Sequence, residues 1–262
     1  QFTPFPQAAS QTAFSPPLPP IPEPFVAPAQ FTNPLIKLDK VSVSFAQKPV
    51  LHELSWVVNQ GEFWQLSGAN GSGKSTLLRM ISGDNPKGFG QNLFLFGRKK
   101  GTGESVWEIK AHIGYFTSSM TQNFSRDETV LAMLISGYFD SVGLYLKPHR
   151  RHIQLAQQWL ALLGMEALAE VSFMQLGYGQ QRLLLAARAM VKHPPLLILD
   201  EPTAGLDDEH AALLVRLVNH MASCKTSAIM YVSHRREEGL HPEKILHLQT
   251  SDKGSIGVVT QG

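Results

Sequence analysis

Apolar and polar residues alternate through Leu35-Ile36-Lys37-Leu38 and again through Val41-Ser42-Val43-Ser44-Phe45, the pattern of strands with one buried face. A turn at Gln47-Lys48-Pro49 leads to Val50-Leu51, and Leu54 to Val58 predicts another strand, closed by a turn at Asn59-Gln60-Gly61. Glu62-Phe63-Trp64-Gln65-Leu66 is a further strand, and Thr76 to Ile81 has helical spacing. Residues 82–106 read as an elaborated surface loop around a strand at Asn92–Phe96, followed by a strand at His112–Phe116. From Glu128 to Leu168 the period becomes helical, with apolar positions at Val130, Leu131, Leu134, Ile135, Leu155, Ala156, Trp159 and Leu163. Leu196-Leu197-Ile198-Leu199 is apolar without alternation, as in a central parallel strand covered on both faces.

These periods predict an α/β protein with a mixed or parallel core sheet. An antiparallel β-subdomain precedes it, and a mostly helical insertion, about residues 120–175, separates two core strands. The main domain is expected over residues 35–250, with 251–262 as a C-terminal tail. Residues 1–34 differ from the rest: they hold ten of the 17 prolines and one charge, Glu23. That composition favours an extended or disordered linker. Pro17-Leu18-Pro19-Pro20 is the sharper alternative, a proline-rich ligand, but no basic residue flanks it.

At 262 residues the chain can bury a full core. A net charge of +2 gives no support for a nucleic-acid partner beyond a local basic patch. One cysteine, Cys224, forms no internal disulfide, which suits a cytoplasmic protein. No apolar run reaches the roughly 18–20 residues of a membrane helix, and the start lacks the basic and apolar regions of a signal peptide. The first residue is Gln rather than Met, so the reading expects residues upstream.

The chemistry begins at Gly68-Ala69-Asn70-Gly71-Ser72-Gly73-Lys74-Ser75-Thr76, which fits G-x-x-x-x-G-K-[ST] between a strand and a helix. Its glycines let successive N–H groups converge on one anion, and the helix N-terminus adds positive potential. Lys74 would reach the terminal phosphates of ATP, and the Ser75 hydroxyl would bind Mg²⁺. Asp200 and Glu201 follow the apolar strand at its carboxyl end, where open α/β sheets place ligands. Asp200 would hold Mg²⁺ through water, and Glu201 would polarise the attacking water. His234, after the strand ending Tyr231-Val232, is a candidate γ-phosphate contact.

Together these motifs resemble the ATP-binding cassette (ABC) ATPases over about residues 35–250. Leu176-Gly177-Tyr178-Gly179-Gln180 stands where that family has Leu-Ser-Gly-Gly-Gln, and Pro202 to Asp207 resembles the segment after Walker B and the D-loop. The resemblance implies a P-loop NTPase fold of ABC type and an ATP hydrolase in which Phe45 stacks on adenine. It also implies a second cassette, as tandem partner or self-dimer. Gly177, Tyr178, Gly179, Gln180 and Asp207 would then meet the nucleotide of that opposite cassette. Val106–Lys110, His112–Tyr115, Ser136–Ser141 and Leu176–Arg182 are similar to the second cassette of a tandem branch linked by name to molybdenum. The proline-rich segment would then join two cassettes, and a separate transmembrane permease would hold the protein at the inner face of a membrane. A soluble ATPase acting on nucleic acid or another macromolecule, and a slow nucleotide-sensing module, are the competing uses. Two positions depart from the family. Ser118 stands where the Q-loop glutamine is expected, with Gln122 nearby, and Gly177 replaces the signature serine.

Overall fold

The computed structural model describes residues 17–120, 127–235 and 237–262. The early alternation forms two long strands, β1 (Ile36–Phe45) and β2 (Lys48–Val58), paired antiparallel from Ile36↔Val58 to Phe45↔Lys48. The turn lies at Ala46-Gln47, both at positive φ (46° and 65°), rather than at Gln47-Lys48-Pro49. A two-residue loop with this twist keeps the strands paired up to their ends. Register shifts between Leu38 and Val41 absorb the polar break at Asp39-Lys40, so Leu38 and Val41 are both buried. With β4 (Leu93–Leu95) and β5 (Arg98–Lys99), these strands form a four-stranded sheet in the order β2-β1-β4-β5.

The second sheet has the order β10-β9-β3-β8-β7-β6. It comprises β3 (Phe63–Gly68), β6 (Ile113–Thr117), β7 (Leu196–Asp200), β8 (Ala228–Val232), β9 (Lys244–Gln249) and β10 (Ile256–Gln261). Strands β9, β3, β8, β7 and β6 are parallel. Residues 251–262, expected as a tail, contain β10, which pairs antiparallel with β9 from Ile256↔Gln249 to Gln261↔Lys244. The β-branched run in Ile256-Gly257-Val258-Val259-Thr260 suits a strand, and pairing satisfies the free edge of β9.

The helices are α1 (Lys74–Ile81), α2 (Val106–Ala111), α3 (Val130–Ile135), α4 (Arg150–Leu162), α5 (Tyr178–Met190) and α6 (Asp208–Ser223). Two cores flank the six-stranded sheet, and β7 feeds both. Leu197 and Leu199 join the helical layer with Trp159, Phe173 and Leu184, while Leu196 and Ile198 join β1, β2 and α1. Burial on both faces is the reason for its unbroken apolar run. Helices α3 and α4 lie in the predicted insertion between β6 and β7, and Trp159 is fully buried there.

The described part of the proline-rich segment, residues 17–34, has no regular strand or helix and is seated on the main domain rather than simply solvated. Leu18 and Ile21 pack against the helical core. His193 and His220 donate from Nε2 to the Pro22 and Pro19 carbonyls at 2.8 and 3.0 Å. Phe25 stacks on His152 of α4 with ring centroids 3.7 Å apart, and Phe31 packs on Phe96 and His112. The sequence signal for this docking is the scatter of Leu18, Ile21, Phe25 and Phe31 between prolines, which hold the backbone extended at low entropic cost.

Phe25→Ala should cost about 1–2 kcal/mol and lower Tm by roughly 3–6 °C. Burial holds the His152 and His193 pKa values below the ordinary 6.5. The fold therefore favours neutral rings, and their contribution, present above about pH 6.5, is lost as the pH falls below it. Thermal unfolding at about pH 7.5 and 5.5 checks both points. The Tm gap between wild type and variant should shrink in acid.

Candidate functional site

The parallel register brings the predicted groups to one edge of the sheet. Leu66 pairs with Val232, Val232 with Asp200, and Asp200 with Thr117. The residues that follow each strand, Gly68 and its loop, His234, Glu201 and Ser118, therefore emerge together. Between β3 and α1 the chain turns through Gly68, Gly71 and Gly73, at φ of 152°, 82° and 96°. A Cβ on Gly68 would lie 2.6 Å from Ser72 Oγ and 2.8 Å from the Leu248 carbonyl, and one on Gly73 would lie 2.9 Å from Leu51 Cδ2. Both positions therefore combine a left-handed backbone with a close approach that a side chain would block.

Lys74 begins α1, and its Nζ donates to the Gly68 and Ala69 carbonyls at 2.6 and 3.1 Å. The ammonium is thus folded back over the loop. Asn70, Lys74, Ser75, Ser118, Asp200 and Glu201 face a cleft of about 410 Å³. Burial raises the Asp200 pKa, the neighbouring Glu201 charge raises it further, and Lys74 opposes both. A divalent cation would relieve that cost. Among the described residues no cluster of three His, Cys, Asp or Glu side chains is placed to hold a metal. The donors present, Ser75 and Asp200, suit an ion bound largely through phosphates and water, as Mg²⁺ is.

Glu201 has φ 48°, a left-handed conformation unusual for a side-chain-bearing residue. Its N–H donates to the Val232 carbonyl at 3.0 Å, and its Oε1 lies 3.2 Å from His234 Nδ1. Its carbonyl accepts from Arg182 Nη2 at 2.8 Å. Arg182 is fully buried and also donates to the carbonyls of Pro202 (3.0 Å) and Ser118 (3.3 Å) and to the Tyr178 hydroxyl (3.0 Å). Reading the residues as a sequence gave Arg182 no role of its own. Its signal was present: an arginine on the apolar face of a helix, four residues after Tyr178, must have partners inside.

The remaining predicted residues lie apart from the cleft. Phe45 is exposed at the end of β1, with Lys87 Nζ 5.9 Å from its ring centre, and does not line the cleft. Gly177 caps α5, and its N–H donates to Gln180 Oε1 at 3.1 Å. A Cβ on Gly179 would lie 2.7 Å from the His210 ring. Asp207 caps α6 by accepting from the His210 N–H, and its carboxylate also holds the His210 ring at 2.7 Å, both of which lower its pKa. Gln122 lies outside the described residues.

A family model described as "ABC transporter" matches residues 51–204. The chain is 46% identical over 216 residues to the ABC transporter ATP-binding protein ModF of Escherichia coli (strain K12), covering 82% of this chain and 44% of ModF. An uncharacterized ABC transporter ATP-binding protein of Schizosaccharomyces pombe is 30% identical over 80% of this chain and 43% of its own length. The chain thus spans less than half of either relative. Its fold matches the ATP-binding cassette MJ0796, solved as a dimer in a post-hydrolysis state with ADP and Pi, at TM-score 0.69 and 22% identity over 86% of this chain and 98% of that one.

The left-handed backbone at Glu201 costs about 1 kcal/mol, which glycine would not incur. Glu201→Gly should therefore raise Tm by roughly 2–4 °C, since the exposed His234 pair it removes contributes little. Calorimetry of the two proteins checks this, and a fall in Tm would show that the side chain stabilises the fold.

Proposed function

The chain belongs to the ABC transporter family, as one of its ATPase cassettes, and we propose that it hydrolyses MgATP at a composite interface shared with a second cassette. The observation that carries this reading is the convergence of Lys74, Ser75, Asp200 and Glu201 on one cleft. The loop N–H groups and Lys74 bind the terminal phosphates, Lys74 exchanging the Gly68 and Ala69 carbonyls for phosphate oxygens. Ser75 and Asp200 would hold Mg²⁺, which would supply positive charge against the phosphates when bound. Glu201 takes the proton of the attacking water, and His234, already in contact with its carboxylate, orients it and reaches the γ-phosphate. Phe45, at the tip of β1, supplies a stacking surface for adenine from outside the cleft.

Gly177, Tyr178, Gly179, Gln180 and Asp207 lie away from this chain's own cleft, which supports their use on the nucleotide of the opposite cassette. That cassette is either a second copy or the other half of a longer tandem protein. The length of ModF relative to this chain supports the tandem arrangement. By the resemblance to a tandem branch linked by name to molybdenum, the work of the pair would be oxyanion transport through a separate permease at the membrane's inner face. No helix among the described residues is long and apolar enough to cross a membrane itself.

A second reading, a slow nucleotide-sensing module, is favoured by the state of Gly177. It has no hydroxyl, and its N–H is already engaged by Gln180. Losing one transition-state donor costs about 10²–10³ in rate in other enzymes.

Calorimetric titration with MgATP separates binding from turnover. The wild type should bind, Lys74→Ala should lose about 100-fold or more in affinity, and Glu201→Gln should bind at least as tightly while turnover disappears. Equal affinity for Lys74→Ala would contradict the assignment of the loop.

A further inference from the structure

Tyr178 has no counterpart in the Leu-Ser-Gly-Gly-Gln pattern, where glycine stands at its position. Its ring does not simply project into solvent. It is half-exposed, and it lies over Gly205, a residue at φ 75° in the segment before α6. A Cβ on Gly205 would come within 3.5–3.6 Å of the Tyr178 ring and hydroxyl. The hydroxyl accepts from Arg182 Nη1 at 3.0 Å, and the guanidinium carbon is 5.5 Å from the ring centre. Arg182 is fully buried and spends its other donors on the carbonyls of Glu201, Pro202 and Ser118. Phe116 of β6 lies against the same guanidinium, 5.3 Å from it.

Tyr178, with Arg182, joins three segments: the first turn of α5, the loop between β7 and α6 that contains Glu201 and Gly205, and Ser118 after β6. A buried guanidinium needs every donor satisfied, so removing one acceptor frees it to move. Glu201 is sensitive to that movement because its left-handed backbone persists only while its surroundings hold it.

We propose that the Tyr178 hydroxyl is a positioning group which, through Arg182, holds the main chain of Glu201 and Ser118 in catalytic register, tying the signature surface of this chain to its own cleft. A cassette that closes on the exposed side of Tyr178 would then bear on the general base of the chain that carries the tyrosine. The part of this concerning turnover rests on the reading of the cleft as an ATPase site; the mechanical part does not.

Tyr178→Phe removes only the hydroxyl and leaves the ring over Arg182 and Gly205. The Glu201 amide donates to Val232, and the Ala204 amide donates to the Glu201 carbonyl at 3.2 Å, so both report on this segment. Amide hydrogen exchange, resolved to these two residues, should quicken about tenfold in Tyr178→Phe, while amides of β3 and α4 stay unchanged. In steady-state assays kcat should fall about tenfold; because Tyr178 also belongs to the surface assigned to the opposite nucleotide, exchange at Glu201 and Ala204 is the readout that decides. Unchanged exchange at Glu201 and Ala204 would overturn the proposal whether or not the protein hydrolyses ATP. Faster exchange in Tyr178→Phe, together with a wild type that fails to bind MgATP, would support the linkage and sink the ATPase reading instead. A general rise in exchange across β3 and α4 would also overturn it, by showing a loss of overall stability rather than of positioning.

Discussion

The parallel ladder formed by β3, β8, β7 and β6 is the constraint on which the site depends. Its hydrogen bonds place Leu66, Val232, Asp200 and Thr117 at one level. A slip of one residue in β7 would exchange the faces of Leu196 to Leu199 between the two cores and withdraw Asp200 from the edge. Because both faces of β7 are buried, that slip is costly, and core packing thereby fixes the carboxylates relative to the phosphate loop. The chemistry is thus positioned by residues that take no part in it.

Much of this arrangement could be read from the chain, because the phosphate loop and the acid-ended strand are local patterns with a local physical cause. Gly68 and Gly73 are glycines because of backbone angle and close approach, and such demands appear in sequence as spacing. Three features were harder to read. The hairpin at Ala46-Gln47 uses no Asn-Gly or Asp-Gly pair, so Lys48-Pro49 looked like the turn. Strand β10 pairs with β9 across the short polar connection Thr250–Ser255, but Gly257 interrupts its pattern, so residues 251–262 looked like a tail. The docking of residues 17–34 depends on His152, His193 and His220, which lie more than 100 residues away in the chain.

Arg182 and Glu201 show where stability has been given up for arrangement. A buried cation and a left-handed glutamate are each unfavourable alone, yet the guanidinium is satisfied largely by main-chain carbonyls of the segment that contains the glutamate. Each removes part of the other's penalty. Asp200 carries a third cost, an ionised group made less acidic by burial and by its neighbour. These costs lie at one edge of an otherwise well-packed sheet, as expected where local rules yield to function.

The central claim is that two cassettes share each site, and the rate of ATP hydrolysis per chain as a function of protein concentration tests it most directly. The account predicts a rate per chain that climbs with concentration as pairs form and then levels off. A measurable rate per chain that stays constant from high dilution upward would mean that one cassette suffices, and would contradict the assignment of Gly177–Gln180 and Asp207 to a partner's nucleotide.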